Sequence, residues 1–249
     1  MTSAVAVIPA RLGSTRFPRK VLASETGSPM VRHVWVAATA AERIGRVVIA
    51  TDAQEVVDAA AAFGAEAVMT SPDHPNGTSR IAETASKLGL DNDAIVVNVQ
   101  GDEPEIEPGA IDALVGAIAE GQCPSATVAG PFAEGEDFSD PNKVKVVLNG
   151  RGEAVYFSRS VIPFARSGEY PAGHEPLKHA GLYAYRRWLL DAYLDMAPTA
   201  LESIEQLEQL RLVYHGVPMA VAIYQTRSSG IDTPEQYASF VRRFRAREG

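Results

Sequence analysis

The feature that most constrains this chain is a rhythm in its first half, where short β-branched runs alternate with longer Ala-rich stretches carrying apolar residues at helical spacing. Ala4 to Pro9 (AVAVIP), Arg46 to Ala50 (RVVIA), Glu66 to Met69 and Ala94 to Val99 (AIVVNV) read as strands. Between them, Val31, Val34 and Ala38 mark a helix within Pro29 to Arg43, a second helix follows Thr51-Asp52, and a third runs from Thr78 to Lys87. Alternation at this interval predicts an α/β fold, a mainly parallel sheet with helices on both faces. Such sheets bind ligands outside the carboxyl ends of their strands, so the residues just past Val7, Ile49 and Val99 are the first places to look for a site.

The second half is less regular. Strands are expected at Val144 to Leu148, Ala154 to Phe157, Ala180 to Tyr185 and Met219 to Tyr224, with helices near Arg186 to Leu194 and Ser203 to His215 and a Gly/Pro-rich loop from Ser167 to Pro176. Closely spaced strands suggest a mixed or antiparallel elaboration at about residues 150–225 on a single domain spanning 1–249. The final helix carries Arg242, Arg243, Arg245 and Arg247, read as a solvated C-terminus that suits the helix dipole.

A net charge of −8 over 249 residues argues against a protein that coats nucleic acid or an anionic membrane, so an anionic ligand has to be gathered by local charge. With Cys123 as its one cysteine, the chain can form neither an internal disulfide nor a cysteine-based zinc site. Its start lacks a basic segment ahead of an apolar run, and charges interrupt every hydrophobic stretch; a cytoplasmic protein without signal peptide or membrane span is expected.

Two constellations carry chemistry. Pro9 to Lys20 (PARLGSTRFPRK) places Arg11, Arg16, Arg19 and Lys20 on one loop at the end of the first strand, with no acidic residue before Glu25. That is the charge for a polyphosphate, with backbone N–H groups of Leu12 to Thr15 as a cradle and Arg11 and Lys20 as closing cations. No Walker loop and no Gly-x-Gly-x-x-Gly occurs. The second is Val97 to Pro104 (VNVQGDEP), where a buried strand ends in carboxylates suited to Mg²⁺ held against phosphates. Such an ion takes only one or two protein carboxylates, and Asp232 in Gly230 to Glu235 (GIDTPE) is a candidate for the second, although the same spacing also reads as a helix cap.

Seven blocks in order resemble the 3-deoxy-manno-octulosonate (Kdo) cytidylyltransferase family: IPARxxSTRxPxK (Ile8 to Lys20), TSxDHxxGTxR (Thr70 to Arg80), VNVQGDEP, YFSRxxIP (Tyr156 to Pro163), HxGLYxY (His179 to Tyr185), LExIEQLEQLR (Leu201 to Arg211) and GIDTPE. The resemblance implies a nucleotidyltransferase fold of the nucleotide-diphospho-sugar transferase type with a dimerising elaboration, acting on CTP and an acidic eight-carbon ulosonic acid with Mg²⁺ as cofactor. Catalytic roles would fall to Arg11, Lys20, Asp102 and Asp232, the last two as metal ligands. Pro9, Ala10, Arg11, Lys20, Asn76, Gly77, Arg80 and Gln100 would bind the nucleotide, and Arg159, His179, Tyr183, Glu208 and Gln209 the sugar.

The chain departs from the family pattern at Arg19, where Gly is common, at Pro75-Asn76, where Gln-Ser is usual, and at Ser79, where Glu is usual. Two rival readings stay open: an enzyme for another acidic sugar, such as a sialic or amino-substituted ulosonic acid, and a nucleotide-binding sensor without catalysis. The joint presence of Arg11, Lys20, Asp102 and Asp232 speaks against the sensor.

Overall fold

Four early segments run in parallel, β1 (Ala4–Pro9), β2 (Ile44–Thr51), β3 (Glu66–Met69) and β4 (Ile95–Asn98). The apolar runs of β1, β4 and the second half of β2 suit strands buried on both sides, while β3 is the half-exposed edge. In the computed structural model, which describes residues 4–14, 16–228 and 230–248, β1 lies between β2 and β4, with Val7 level with Val48 on one side and Asn98 on the other. The linking helices are α1 (Met30–Thr39), α2 (Gln54–Ala62) and α3 (Gly77–Lys87).

Residues 104–143 escaped the sequence reading and contain α4 (Pro108–Glu120) and β5 (Ser125–Pro131). β5 is rich in Ser, Ala and Gly, which have little β preference; it is a strand because it has partners on both edges. Beyond it come β6 (Lys145–Leu148), β7 (Ala154–Ser158), β8 (Leu177–Arg186), α5 (Arg187–Asp195), α6 (Ala200–Glu205), α7 (Leu210–Tyr214), β9 (Met219–Ile223) and α8 (Pro234–Glu248).

Among the described residues the sheet order is β3-β2-β1-β4-β8-β5-β9, with the β6–β7 hairpin hanging from the start of β8. β8 runs antiparallel between β4 and β5. The strands expected in a peripheral elaboration therefore complete the central sheet, because β4 and β5 would otherwise leave unpaired edges in its middle. Apolar residues of α1, α2 and α4 pack on one face; those of α3, α5 and α7 pack on the other.

Two local differences from the sequence reading bear on the site. The helix expected over Ser203 to His215 is split, since α6 is closed by Gln206 in the left-handed region (φ 53°) and α7 restarts at Leu210. Arg211 locks the break by a two-pronged pair with Glu202 at 2.8 and 2.6 Å. The C-terminal arginines are not simply solvated: Arg243 and Arg247 bind Glu105, and Arg245 donates to Glu25 O at 2.8 Å. With Tyr237 and Phe240 buried against Met30, they fix α8 to the body of the fold. Burial of one such ring contributes about 2 kcal/mol. No described helix is long and apolar enough to cross a membrane.

Candidate active site

β1 ends where Ala10 N donates to Ala50 O at 2.8 Å, and the basic loop turns out from there. Leu12 O accepts from Ser14 N at 2.9 Å and from Arg19 N at 3.3 Å. The Ser14 N–H is thus already spent and drops out of the expected backbone cradle of Leu12 to Thr15, of which Thr15 lies outside the described residues. The loop's cations also separate. Arg11, Arg16 and Lys20 line a cavity of about 490 Å³. Arg19 turns away to a two-pronged pair with Glu55, its backbone in the left-handed region at φ 60°. That conformation is the physical reason glycine suits the position.

Across the cavity, Gly101 lets the end of β4 approach β1: a Cβ there would stand 2.5 Å from Pro9 O. The next residue, Asp102, presents its carboxylate to Lys20, whose Nζ lies 2.5 Å from Asp102 Oδ2. Ile231 N donates to Asp102 O at 2.9 Å and so brings Asp232 to the same point. Lys20 Nζ donates to Asp232 Oδ1 at 2.9 Å and to Ile231 O at 2.9 Å, while Arg16 pairs with Asp232 Oδ2 at 2.9 Å. Two carboxylates far apart in sequence thus converge on one buried ammonium.

Asp232 is not the cap of α8. Thr233 Oγ1 accepts from Gln236 N at 3.3 Å, and Gln236 Oε1 reaches back to the N–H groups of Asp232 and Thr233 at 2.7 and 3.0 Å. This is a capping box shifted by one residue, and it leaves the Asp232 carboxylate for the site. Among the described residues no group of three or more His, Cys, Asp or Glu is assembled to hold a metal by itself. An ion between Asp102 and Asp232 would take the rest of its shell from ligand oxygens and water. Hard carboxylate oxygens that already share a cation fit magnesium on those terms.

Pro9, Asn76, Gly77, Arg80 and Gln100 line the same cavity; Ala10 is fully buried and does not line it. Arg80 is no surface charge. It is 3% exposed, donating to Asp52 Oδ2 at 3.0 Å and to Thr70 Oγ1. Asn76 caps α3 through Oδ1, which accepts from Ser79 N at 2.9 Å, and Ser79 Oγ donates to Asn76 O at 3.0 Å. The departures at 76 and 79 are therefore one coupled change: an Asn cap serves where a Ser-x-x-Glu box would.

One lining residue and one buried neighbour were missed. His74 lines the cavity and is held by Glu83. Burial alone would raise the Glu83 carboxyl, but hydrogen bonds from Lys87, His74 and Ser71 N pull it down to about 2. Asn98, fully buried, finds no partner for either amide atom, and its Nδ2 lies 3.7 Å from where a Gly77 Cβ would sit. Buried polar groups without partners are rare, and a lone Asn in an otherwise apolar strand was the signal that could have found it.

The proposed sugar residues divide. His179, Tyr183 and Gln209 line a second cavity of about 330 Å³, on the other side of Gln100 to Glu103 from the first. A register shift between Thr127 and Val128 re-aims this part of β8. The Thr127 hydroxyl donates to Leu182 O at 2.8 Å, which leaves its oxygen to accept from His179 Nε2 at 2.9 Å. Burial pulls the His179 ring down to about 3, so it is neutral. Gln209 is 3% exposed and its Nε2 has no partner. Glu208 sits close to Tyr183, Tyr185 and Tyr193, with burial raising its carboxyl. Arg159 is turned elsewhere, onto the carbonyl oxygens of Glu205 at 2.7 Å, Pro141 at 3.0 Å and Gln206 at 3.4 Å. The break between α6 and α7 exposes the Glu205 and Gln206 carbonyls, and a guanidinium is their natural partner.

Comparison with known proteins bears on all of this. Residues 5–223 match the cytidylyltransferase family. A 3-deoxy-manno-octulosonate cytidylyltransferase of Herminiimonas arsenicoxydans is 48% identical over 92% of this chain and 94% of its own. One of Syntrophobacter fumaroxidans is 45% identical over 95% of both. A CMP:2-keto-3-deoxy-manno-octonic acid synthetase solved with CTP superposes with a TM-score of 0.91 at 40% identity, covering 99% of this chain and 100% of the other. A cytidylyltransferase from Leptospira borgpetersenii, at 16% identity and a TM-score of 0.59 over 97% of this chain and 85% of its own, shares the fold alone. Identity of this order sustained over whole chains, on one backbone from end to end, means that the chain belongs to the 3-deoxy-manno-octulosonate cytidylyltransferase family.

Proposed function

We propose that the protein transfers CMP from CTP to the anomeric hydroxyl of Kdo, releasing pyrophosphate and forming CMP-Kdo. The observation that carries this reading is the convergence of Asp102 and Asp232 on Lys20 between a cation-lined cavity and a second one whose lining includes an amide, a phenol and an imidazole. Arg11, Arg16 and Arg80 give the first cavity the charge to hold a triphosphate. His179, Tyr183 and Gln209 give the second the mixed donors and acceptors that a polyhydroxylated sugar needs.

In this reaction the protein's work is positioning and charge. The sugar hydroxyl approaches the α-phosphorus from the side opposite the pyrophosphate, and the loop cations bind the charge that builds on the leaving oxygens. Asp102 and Asp232 would hold Mg²⁺, which when bound neutralises the triphosphate and acidifies the attacking hydroxyl. A neutral His179, with Nε2 bound to Thr127, keeps Nδ1 to accept a hydrogen bond from a sugar hydroxyl rather than supplying charge.

The wider setting is proposed on the same footing: a cytoplasmic enzyme whose product serves lipopolysaccharide synthesis. It works as a homodimer, a state supported by Phe164 and Ile204, which are 82% and 78% exposed within the stretch assigned to dimer contact. The experiment is pyrophosphate release from CTP and Mg²⁺ with a panel of ulosonic acids. Release with Kdo is the expected outcome. Release only with another acidic sugar overturns the substrate, and no release with any leaves a nucleotide sensor.

A further inference from the structure

The second cavity holds a charged cluster at one end that the roles above leave unused. Glu136 accepts from Lys178 Nζ at 3.0 Å on each oxygen, from Lys143 at 3.2 Å and from Ala133 N at 2.9 Å. Two ammonium groups share one carboxylate, and Lys143 Nζ also donates to Asp137 O at 3.3 Å. Its side chains are 18–29% exposed, and Lys143, Glu136 and Lys178 all line the cavity with His179, Tyr183 and Gln209. With Arg159 turned onto backbone carbonyls, the cations among the described lining residues are these two lysines.

Position along β8 sets which part of a sugar can reach them. Gly181 abuts Glu103, its Cβ position 3.3 Å from Glu103 Oε1, and Glu103 follows Asp102 directly. That is the reacting end. Three residues earlier stands Lys178, and at strand rise this is about 10 Å away. A ulosonate's carboxylate is bonded to the same carbon as the attacking hydroxyl, so it stays at the Asp102 end, whatever binds the rest. What extends toward Lys178 is the exocyclic chain with its vicinal hydroxyls. Each hydroxyl can accept, and Lys143 and Lys178 each carry three N–H donors, more than Glu136 uses, while the four acceptor positions of the Glu136 carboxylate are already filled and hold the two ammonium groups in place.

We propose that Lys143, Glu136 and Lys178 form a tail subsite that binds the exocyclic diol of the ulosonate and selects an eight-carbon sugar over shorter ones. This rests on the cytidylyltransferase reading of the site. The alternative is that the cluster only ties the loop between β5 and β6 to β8.

The test compares Kdo with the six-carbon 3-deoxy-2-ulosonic acid lacking both exocyclic carbons, in wild type, Lys143→Met, Lys178→Met and Glu136→Gln. Loss of one charge-assisted hydrogen bond should lower kcat/KM for Kdo about tenfold, chiefly through KM, while the truncated sugar and the KM for CTP change less than about twofold. An equal fall with both sugars, or none with Kdo, overturns the subsite while leaving the enzyme reading intact. No pyrophosphate from wild type with any ulosonate removes both. Should Glu136→Gln lower Tm sharply, Lys143→Met carries the comparison, since that side chain is among the more exposed of the three.

Discussion

The two cavities are walled by opposite kinds of chain. The larger draws on Pro9 to Val21, His74 to Arg80 and Gln100 to Asp102, runs that follow the carboxyl ends of parallel strands or open the helix after one, joined by Asp232 from the segment before α8. The smaller takes side chains from an antiparallel strand, from the loop between β5 and β6, from the break between α6 and α7 and from the segment after β9. A parallel strand hands its ligand-facing residues to the next loop in sequence order, whereas an antiparallel insertion gathers them from wherever the chain returns. The first design concentrates charge on few residues. The second spreads hydrogen bonds over many.

The comparison predicts where single substitutions cost most. Asp102→Asn and Asp232→Asn each remove half of the carboxylate pair around Lys20, and turnover should fall about 10²–10³-fold while CTP still binds weakly. Because Thr233 and Gln236 cap α8, Asp232→Asn should leave Tm nearly unchanged, whereas Thr233→Val should cost about 1 kcal/mol of stability. Pyrophosphate release and thermal melts on the same preparations decide this. Near-normal turnover in Asp232→Asn would take that residue out of the site and break the contrast at its sharpest point.

The same contrast governs what could be read before folding. Arg11, Lys20, Asp102 and the strands that carry them stand in short contiguous motifs, so their convergence follows from the parallel topology. The pairing of Arg16 with Asp232 could not be read, because it depends on Ile231 N reaching Asp102 O across the fold. Arg159 matched a family motif, yet it answers carbonyls freed by a helix break that sequence periodicity did not show. β5 was invisible because its strand character comes from its neighbours, and the charged cluster on Glu136 lies in the loop that follows it. Tertiary pairing, not local propensity, decides such segments.

Gln209 tests whether the smaller cavity is the sugar's. A buried amide without a partner costs stability that ligand binding restores. Gln209→Leu should therefore raise Tm by about 2–4 °C and raise KM for the sugar about tenfold, with KM for CTP unchanged. An unchanged sugar KM would mean that the distributed design is packing alone.

His179 gives a smaller effect through pH. Its folded value near 3 lies below the ordinary value of about 6.5, so as pH falls from 6.5 the unfolded chain binds a proton that the folded ring refuses. Stability from this group is complete above pH 6.5 and is lost toward pH 3. Discounted for the part of the ring that meets solvent, the loss between pH 7 and 5.5 is about 1 kcal/mol. Denaturant melts should show His179→Gln with a shallower acid slope than wild type. Equal slopes would mean that the ring takes its proton in the folded state.

The smallest effect belongs to Arg19, the loop cation that faces away from the larger cavity. A non-glycine residue at φ 60° carries backbone strain that Gly lacks, against which stands only an exposed pair with Glu55. Arg19→Gly should raise Tm by about 1–2 °C and leave kcat and both KM values alone. Glu55→Gln, which removes the pair and keeps the strain, should lower Tm slightly, also without kinetic change. If Arg19→Gly instead raised the KM for CTP, the loop's charge would act as one reservoir, and the concentration of function on Arg11, Arg16 and Lys20 would be too narrow. The two variants together separate the backbone's contribution from the guanidinium's, which no single substitution at this position does.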